Sequence, residues 1–595
     1  MSYINFTKDE LVKLLNENDR TSFYYTEKDR ERVLSNPNLK KYISQIVDTA
    51  EEMIDEPIIA ISFSKFRLFA ETGDRGSFET SAPGGYFNHR KFLVTFGLLS
   101  WLYGEERYIK KLEDAIWAVC DEYSWSLPAH MNGQSLTRLE TEGHTIDLFA
   151  SETGSALAEI INLVGDRLAP IVVERAKHEI EKRIFDRAFV PYRWKQMTNN
   201  WSAVCSNNVL LACAYLMEDN ERLAEYYMEL LKCVDVFMSG FPNDGCCLEG
   251  VGYWHYGFGN FITLAETLKK RTGGAIDLFK NEKVLSVARF VQSCYFPGGR
   301  VVSFSDGGSR GRRSLSYASK LAEIYPGECT IDSLCHIGDY PKGGCWCFST
   351  FLRTLVWTTS VDPSLVEGKY GTCMLPDAQW YISTAENGVS FACKAGHNGE
   401  AHNHNDVGSF LIYKNGEAML LDIGAAEYTR FYFSAQRYEL HYCAGSRGHS
   451  VPLINGQEQK CGRGYSSKDT VVTERGLTSD ISGAYGIDSL KSLVRSFDFS
   501  PDGVITITDS YSFSEKPESV IERFITQTVP VIEDGYALIT VGNETVKLCY
   551  DTDKLSAEVI REVESFVSGK ERVTYRVDFL VVQPSTEFTL SFKIF

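Results

Sequence analysis

The sequence predicts a multidomain α+β chain, with a helical N-terminal part followed by an antiparallel all-β C-terminal part. Three observations carry this. From about Lys40 to Ile324 apolar residues recur at spacings of three and four, the period of amphipathic helices. From Gln379 to Phe595 they fall in short alternating or continuous runs divided by turn residues, the pattern of strands. And 595 residues are too many for one core.

Taken in order, the first stripe is Tyr42, Ile43, Ile46, Val47, Ala50 and Met53-Ile54. Phe92 to Leu102 is the second, and Ile109 to Val119, Leu148 to Val164, Ile171 to Ile184, Val204 to Met217, Ala224 to Met238, Phe261 to Leu268 and Val284 to Val291 follow. Connections are short and carry Gly, Pro, Asp or Asn, as in Phe241-Pro242-Asn243-Asp244-Gly245. Ten or so such helices in antiparallel succession suggest a toroid or solenoid, without the fixed repeat of consensus arrays. Four aromatic, polar loops interrupt them: Ser124 to His130, Thr198 to Ser202, Leu248 to Gly257 and Phe304 to Arg310. Loops of this kind on a rigid scaffold are where sites sit, although each also suits capping and packing, and Asn200 suits a helix N-cap.

The pattern changes between Asp362 and Pro376, which divides the chain into domains at 1–370 and 376–595. Beyond it, Val389 to Cys393, Thr470 to Thr473, Ser492 to Phe499, Val504 to Asp509, Ala537 to Val541, Val573 to Val582 and Phe588 to Phe595 read as strands of a β-sandwich. Leu555 to Ser568 reads as a lone helix or a polar loop.

One stretch concentrates chemistry. Five of the eleven histidines lie between His397 and His449, around Ala401-His402-Asn403-His404-Asn405-Asp406-Val407-Gly408-Ser409-Phe410. Lys414-Asn415-Gly416-Glu417 reads as the turn of a hairpin between Leu411-Ile412-Tyr413 and Ala418 to Leu421. If the stretch is extended, His402, His404 and Asp406 share one face, and Asp422 returns beside them. Two imidazoles and one or two carboxylates suit a metal site or a proton-transfer site; a solvated polar face is the plainer alternative.

Composition narrows the partners. Net charge is −18 and the pI about 5.2, which argues against general nucleic-acid binding and against a basic membrane surface. It does not exclude a polyanionic substrate held in a locally basic groove. Aromatics make up 13% of the chain and suit ring-lined clefts. Met1 to Asp9 has no basic region followed by an apolar run, so no secretory signal is visible and the cytoplasm is the default, unless a signal has been removed. No stretch of about 18 uncharged apolar residues predicts a membrane helix. The sixteen cysteines read as reduced, buried thiols, and Cys246-Cys247 and Cys345-Trp346-Cys347 are poorly spaced for zinc. Nothing in the sequence sets an oligomeric state.

A helical part followed by strands that open with His-x-His-x-Asp-x-Gly-Ser-Phe resembles the heparinase II/III-like polysaccharide lyases, and among them the broad-specificity glycosaminoglycan lyases. The run from His402 through Asp422 to Ser446-Arg447-Gly448-His449-Ser450 carries the sandwich signature. Asn199-Asn200-Trp201 and Glu249 to Tyr256 resemble the active-site segments of the helical domain, and Asp147 to Gly154 looks like family scaffold. The resemblance implies an (α/α) toroid, then a β-sandwich, and β-elimination at a uronic acid of hyaluronan, chondroitin sulfate or heparan sulfate, leaving a C4=C5 double bond.

By resemblance, Asn200 neutralises the substrate carboxylate, and Tyr253 is base and acid in turn with Tyr256 as its rival. His402 is the catalytic histidine. His130, Trp201, His255, Arg430 and Arg447 are substrate-binding candidates, the two arginines for sulfate or carboxylate. His404, Asp422 and His449 match the ligands of one structural divalent metal, zinc or else manganese. Many relatives place a histidine beside the neutralising asparagine; here Trp201 follows it and no histidine occurs from Phe189 to Val209. His130 or His255 would have to serve instead, and alginate is expected to be a poorer substrate. Two other readings remain: a toroid glycoside hydrolase using carboxylates such as Glu249 and Asp306 on uronate oligosaccharides, and a non-catalytic carbohydrate-binding protein.

Overall fold

The computed structural model describes residues 3–131, 144–434, 436–566 and 569–595. The chain divides into two compact units whose segments interleave. One comprises 1–240, 254–285 and 314–367; the other comprises 241–253, 286–313 and 368–595. A single cut near residue 370 therefore leaves two loops, 241–253 and 286–313, on the wrong side. They join the second unit because they bond to the turns between its strands. Asp244 Oδ2 accepts from the Asp377 and Ala378 amides, both at 2.9 Å, and Arg300 Nε donates to the Gly416 carbonyl at 2.6 Å. Gly298 lies so close to Gly416 that a Cβ on it would stand 2.4 Å from the Gly416 Cα.

The first unit is the (α/α) toroid, two layers of helices alternating along the chain. We number them α1 (Lys40–Met53), α2 (Tyr86–Leu102), α3 (Glu106–Asp121), α4 (Leu148–Val164), α5 (Pro170–Ile180), α6 (Asn200–Leu216), α7 (Asn220–Ser239), α8 (Gly259–Arg271) and α9 (Phe348–Trp357). The even-numbered helices are the inner layer. α2 is buried at every position but Lys91, and α6 at every position but Trp201 and Leu216, as expected of helices walled in on all sides. α4 packs against α2, α6 and α9, and α6 against α8. The odd helices α1 to α7 are amphipathic. In α3, Tyr108, Ile109, Leu112, Ala115, Ile116, Val119 and Cys120 form the buried stripe that lies on α2. Close inner packing requires small residues: a Cβ on Gly154 would meet the Ile184 side chain at 2.7 Å.

The second unit is the antiparallel β-sandwich. Strands β1 (Cys373–Leu375), β2 (Trp380–Thr384), β3 (Val389–Lys394), β4 (Phe410–Lys414) and β5 (Glu417–Leu420) form one sheet in the order β5-β4-β3-β2-β1. The β4–β5 hairpin turns on Asn415 and Gly416, at φ 48° and 85°, the left-handed pair that such a two-residue turn needs. Next come β6 (Leu453–Ile454), β7 (Lys468–Thr473), β8 (Gly476–Asp480), β9 (Leu490–Phe499), β10 (Ile505–Phe513), β11 (Val520–Thr526), β12 (Val531–Glu533), β13 (Tyr536–Val541), β14 (Glu544–Cys549), β15 (Leu555–Ser565), β16 (Glu571–Val581) and β17 (Glu587–Ile594). They make an eight-stranded sheet, β7-β8-β9-β10-β17-β14-β13-β12, and a four-stranded one, β6-β11-β16-β15. Phe391, Phe410, Phe497, Ile507, Phe524, Phe579 and Phe592 meet in the core between them, and β10 alternates buried and half-buried residues along its whole length.

Two readings of this region are corrected. Leu555 to Ser565 is a strand, not a helix or loop, and residues 567–568 lie outside the described residues. Its charges mimic a solvated helix, yet Glu564 and Glu562 pair across to Arg572 and Arg576 on β16. Residues 401–409 are a loop, not an extended strand, and His402 sits at φ 55°.

All sixteen cysteines are free thiols, and only Cys345 and Cys461 are exposed. Among the described residues no helix is long and apolar enough to cross a membrane.

Candidate active site

The loop between β3 and β4 is held by its polar residues. The Asn405 amide donates to the Ala444 carbonyl at 2.9 Å, and the Gln459 side chain accepts from the Val407 amide at 2.9 Å while donating to the Val407 carbonyl at 2.7 Å. Asp406, expected on the same face as the histidines, points elsewhere: it accepts from buried Lys394 Nζ at 2.9 Å. Asn405 and Asp406 thus build the loop, and His402 and His404 are the residues it presents.

Both histidines converge on Asp306. This carboxylate has no exposed surface and accepts from five donors. Oδ2 takes His402 Nδ1 at 2.6 Å and the Tyr428 hydroxyl at 3.0 Å. Oδ1 takes His404 Nε2 at 3.0 Å, an Arg437 guanidinium nitrogen at 2.7 Å and the Tyr432 hydroxyl. Burial alone would raise its pKa; the bonds from His402 and His404 and the charge of Arg437 outweigh that and hold it far below the usual carboxylate range. An ionised carboxylate only accepts, so His402 carries a proton on Nδ1 and turns Nε2 away from Asp306. That nitrogen stands 3.8 Å from Glu249 Oε1, and the side chain keeps some solvent exposure.

Tyr253 stacks on His402 with ring centroids 4.3 Å apart. Its oxygen lies 3.3 Å from His402 Nδ1 and 2.7 Å from the Tyr428 hydroxyl. Because Tyr428 donates to Asp306, Tyr253 donates to Tyr428. Burial first, and then the neighbouring Tyr428 and Asp306, raise the Tyr253 pKa well above its ordinary value. The hydroxyl therefore holds its proton at neutral pH.

His404, Asp422 and His449 form a second, fully buried cluster, with one ligand atom from each lying within 4.8 Å of the others. Each ring is turned by its outer nitrogen: His404 Nε2 donates to Asp306, and His449 Nε2 to the Cys443 carbonyl at 2.7 Å. Asp422 Oδ1 accepts from the Gly424 amide at 2.9 Å. What remains is His404 Nδ1, His449 Nδ1 and Asp422 Oδ2, three buried atoms with no hydrogen-bond partner. Lone pairs from two nitrogens and one oxygen, oriented by bonds behind them, are the donor set of a divalent metal, and these residues fit one.

Asn200, Trp201, His130, Tyr256 and His255 belong to the helical unit. Asn199, not Asn200, caps α6, its side chain accepting from the Trp201 amide at 3.2 Å. Asn200 is buried at the first position of the helix. His130 Nδ1 donates to Asp147 Oδ2 at 2.7 Å, and its ring stands edge-on to Trp201 with centroids 4.8 Å apart. Asp147 also caps α4 through the Ala150 amide. Burial and adjacent Glu152 push the Tyr256 hydroxyl well up, and burial pushes His255 down to about 4, keeping it neutral.

Of the arginines, Arg447 is engaged with the Tyr438 and Glu439 carbonyls and stands 3.8 Å from Glu458. Arg430 opens a short helical turn, Phe431–Phe433. The residue that orders the site, Asp306, stood out in the sequence only as part of a polar loop and as a carboxylate for the rival hydrolase reading. Tyr428, Tyr432 and Arg437 carried no signal there, since a spacing cannot show which distant side chains share one acceptor.

Comparison with known proteins bears on the fold. Residues 369–534 match the family model described as heparinase II/III-like, C-terminal. The solved structure of heparinase III superposes with a TM-score of 0.63 at 13% identity, covering 95% of this chain and 93% of that one. Heparan sulfate lyase HepC from Pedobacter heparinus, as a mutant, gives 0.61 at 13% identity, covering 99% and 93%. The Streptomyces coelicolor A3 chondroitin AC lyase in complex with chondroitin sulphate gives 0.52 at 11% identity, covering 99% and 82%. A sequence comparison with curated proteins finds no match. Residues 369–534 are thus similar to the heparinase II/III-like C-terminal domain, in a chain that has the fold of these solved structures.

Proposed function

We propose that this chain is a polysaccharide lyase that cleaves uronate-containing polysaccharides by β-elimination, with glycosaminoglycans such as hyaluronan, chondroitin sulfate and heparan sulfate as its substrates. The observation that carries this is the contact of Tyr253 with His402, a phenol and an imidazole 3.3 Å apart, with Asp306 fixing the imidazole. The names of the structural neighbours, which include lyases of heparan and chondroitin, support the substrate class.

Elimination needs the C5 proton removed, the resulting enolate-like charge stabilised and a proton delivered to the leaving glycosidic oxygen. His402, with Nδ1–H bonded to Asp306, offers the Nε2 lone pair as a base or as a partner for the carboxylate. Tyr253, whose proton is held by burial, is set up to give it to the leaving oxygen, and Tyr428 stands ready as the neighbour through which it is restored. Asn200 is assigned the carboxylate by the family resemblance; its amide donates without adding a group that titrates. His404, Asp422 and His449 would hold zinc, or manganese, which when bound would cross-link their segments without taking part in proton transfer.

The five donors on Asp306 weigh against a hydrolase that uses it with Glu249: a carboxylate so saturated has no lone pair left for water or a sugar carbon. The deciding experiment is incubation with hyaluronan, chondroitin sulfates, heparan sulfate and alginate, followed in the ultraviolet. Elimination gives a C4=C5 double bond conjugated to the carboxylate, which absorbs. New reducing ends without absorbance would mean a hydrolase, and binding without either would mean a carbohydrate-binding protein.

A further inference from the structure

We propose that Asp306 is a positioning residue that couples the metal cradle to His402, an inference that rests on reading His404, Asp422 and His449 as metal ligands and His402 as the proton-transfer histidine. His402 and His404 are two residues apart and have different tasks, yet one carboxylate holds both. Its oxygens are divided between them: Oδ2 accepts from His402 Nδ1 and Oδ1 from His404 Nε2. Neither oxygen can turn toward one ring without turning from the other.

The main chain on both sides of the carboxylate is held, so the group moves only by turning about its own side-chain bonds. Ser305, just before it, is held at φ 61° with its hydroxyl on the Leu248 carbonyl at 3.1 Å. Gly307, just after it, is so confined that a Cβ would meet the Phe304 carbonyl oxygen at 2.9 Å. Arg437 and Tyr432 fix Oδ1, and Tyr428 fixes Oδ2. Asp306 therefore behaves as a rigid link. A cation on His404 Nδ1 makes its Nε2–H a stronger donor and fixes the ring; the carboxylate plane is fixed with it, and so is the imidazole of His402. An empty cradle removes that reinforcement from the Oδ1 side, and because the two oxygens turn together the change reaches His402, which the metal never touches.

The test uses the full chain with nitrogen-15-labelled histidine, stripped by chelator and then given Zn²⁺ stepwise. The low-field Nδ1–H proton of His402, assigned by its loss in His402→Ala, is expected to sharpen and shift as zinc fills the cradle. Asp306→Asn is expected to weaken zinc binding by roughly 10–100-fold, as loss of a bond behind a ligand does, measured by competition with a chromophoric chelator. Saturating zinc is not expected to restore the His402 resonance in that variant. A His402 resonance identical in stripped and loaded wild type overturns the proposal, as does wild-type zinc affinity in a folded Asp306→Asn or the absence of zinc binding by wild type. Should Asp306→Asn fail to fold, the wild-type experiment decides alone. Neither readout uses turnover, so a failure of the lyase reading shows separately, in the absorbance assay.

Discussion

His449 donates from Nε2 to the Cys443 carbonyl oxygen at 2.7 Å. That bond turns its Nδ1 inward, to 3.3 Å from Asp422 Oδ2. The carbonyl of Cys443 thus decides which nitrogen of His449 is available to a metal, and Asp306 does the same for His404.

This separates the two histidines of the motif by experiment. Metal binding to a buried site is partly folding energy. His404→Ala is expected to release the metal and lower the melting temperature, with activity lost through disorder of His402. His402→Ala is expected to keep both metal and melting temperature and to lose turnover. Metal analysis, thermal melts and initial rates on the two variants check this. Loss of metal from His402→Ala would show that the ligand set is misassigned.

Tyr253→Phe keeps the ring that stacks on His402 and removes only the hydroxyl bonded to Tyr428. Elimination should fall by about 10²–10⁴-fold, the usual contribution of a positioned acid or base, with polysaccharide affinity preserved. Near-normal turnover in this variant would transfer the role to Tyr256.

Asn200→Ala should cost on the order of 10²-fold or more in turnover if the amide stabilises developing charge. Because Asn199 supplies the cap of α6, little of the effect should come from helix unwinding. A variant that melts earlier yet turns over normally would leave Asn200 a purely structural residue.

The layered fold was legible because burial imposes periodicity. The striped α3 announces an amphipathic helix, and β10 alternates strictly. The clustering of His404, Asp422 and His449 was legible because they lie in one stretch of chain with a recognisable order. Asp306 was not legible as the centre of the site: it lies 96 residues before His402, in a loop whose folding onto the sandwich depends on Gly298 meeting Gly416. The expected strand at 402–406 reached the right partners for the wrong reason. His402 and His404 do share an acceptor, but through a loop with a left-handed residue, and Asp406 is turned away to neutralise Lys394.

Glu152, on the inner helix α4, yields a pH-dependent prediction that needs no substrate. Burial pushes its carboxyl up to about 7, and nearby Asp147 adds to the shift while Tyr256 opposes it. A raised carboxyl is protonated in the folded chain where the unfolded chain has already ionised it. Below the ordinary value near 4.5 the group is neutral in both states and costs nothing. Between 4.5 and about 7 folding must take up a proton that becomes scarcer as pH rises, so stability falls across this window. Above about 7 the group ionises in both states and the cost levels off, at about 3 kcal/mol for a shift of this size. Glu152→Gln keeps the shape without the ionisation. It should therefore melt with wild type at pH 4.5 and above it at pH 8, the gap opening between those values. Parallel melting curves for the two proteins across that range would show that Glu152 keeps an ordinary carboxyl pKa inside the toroid.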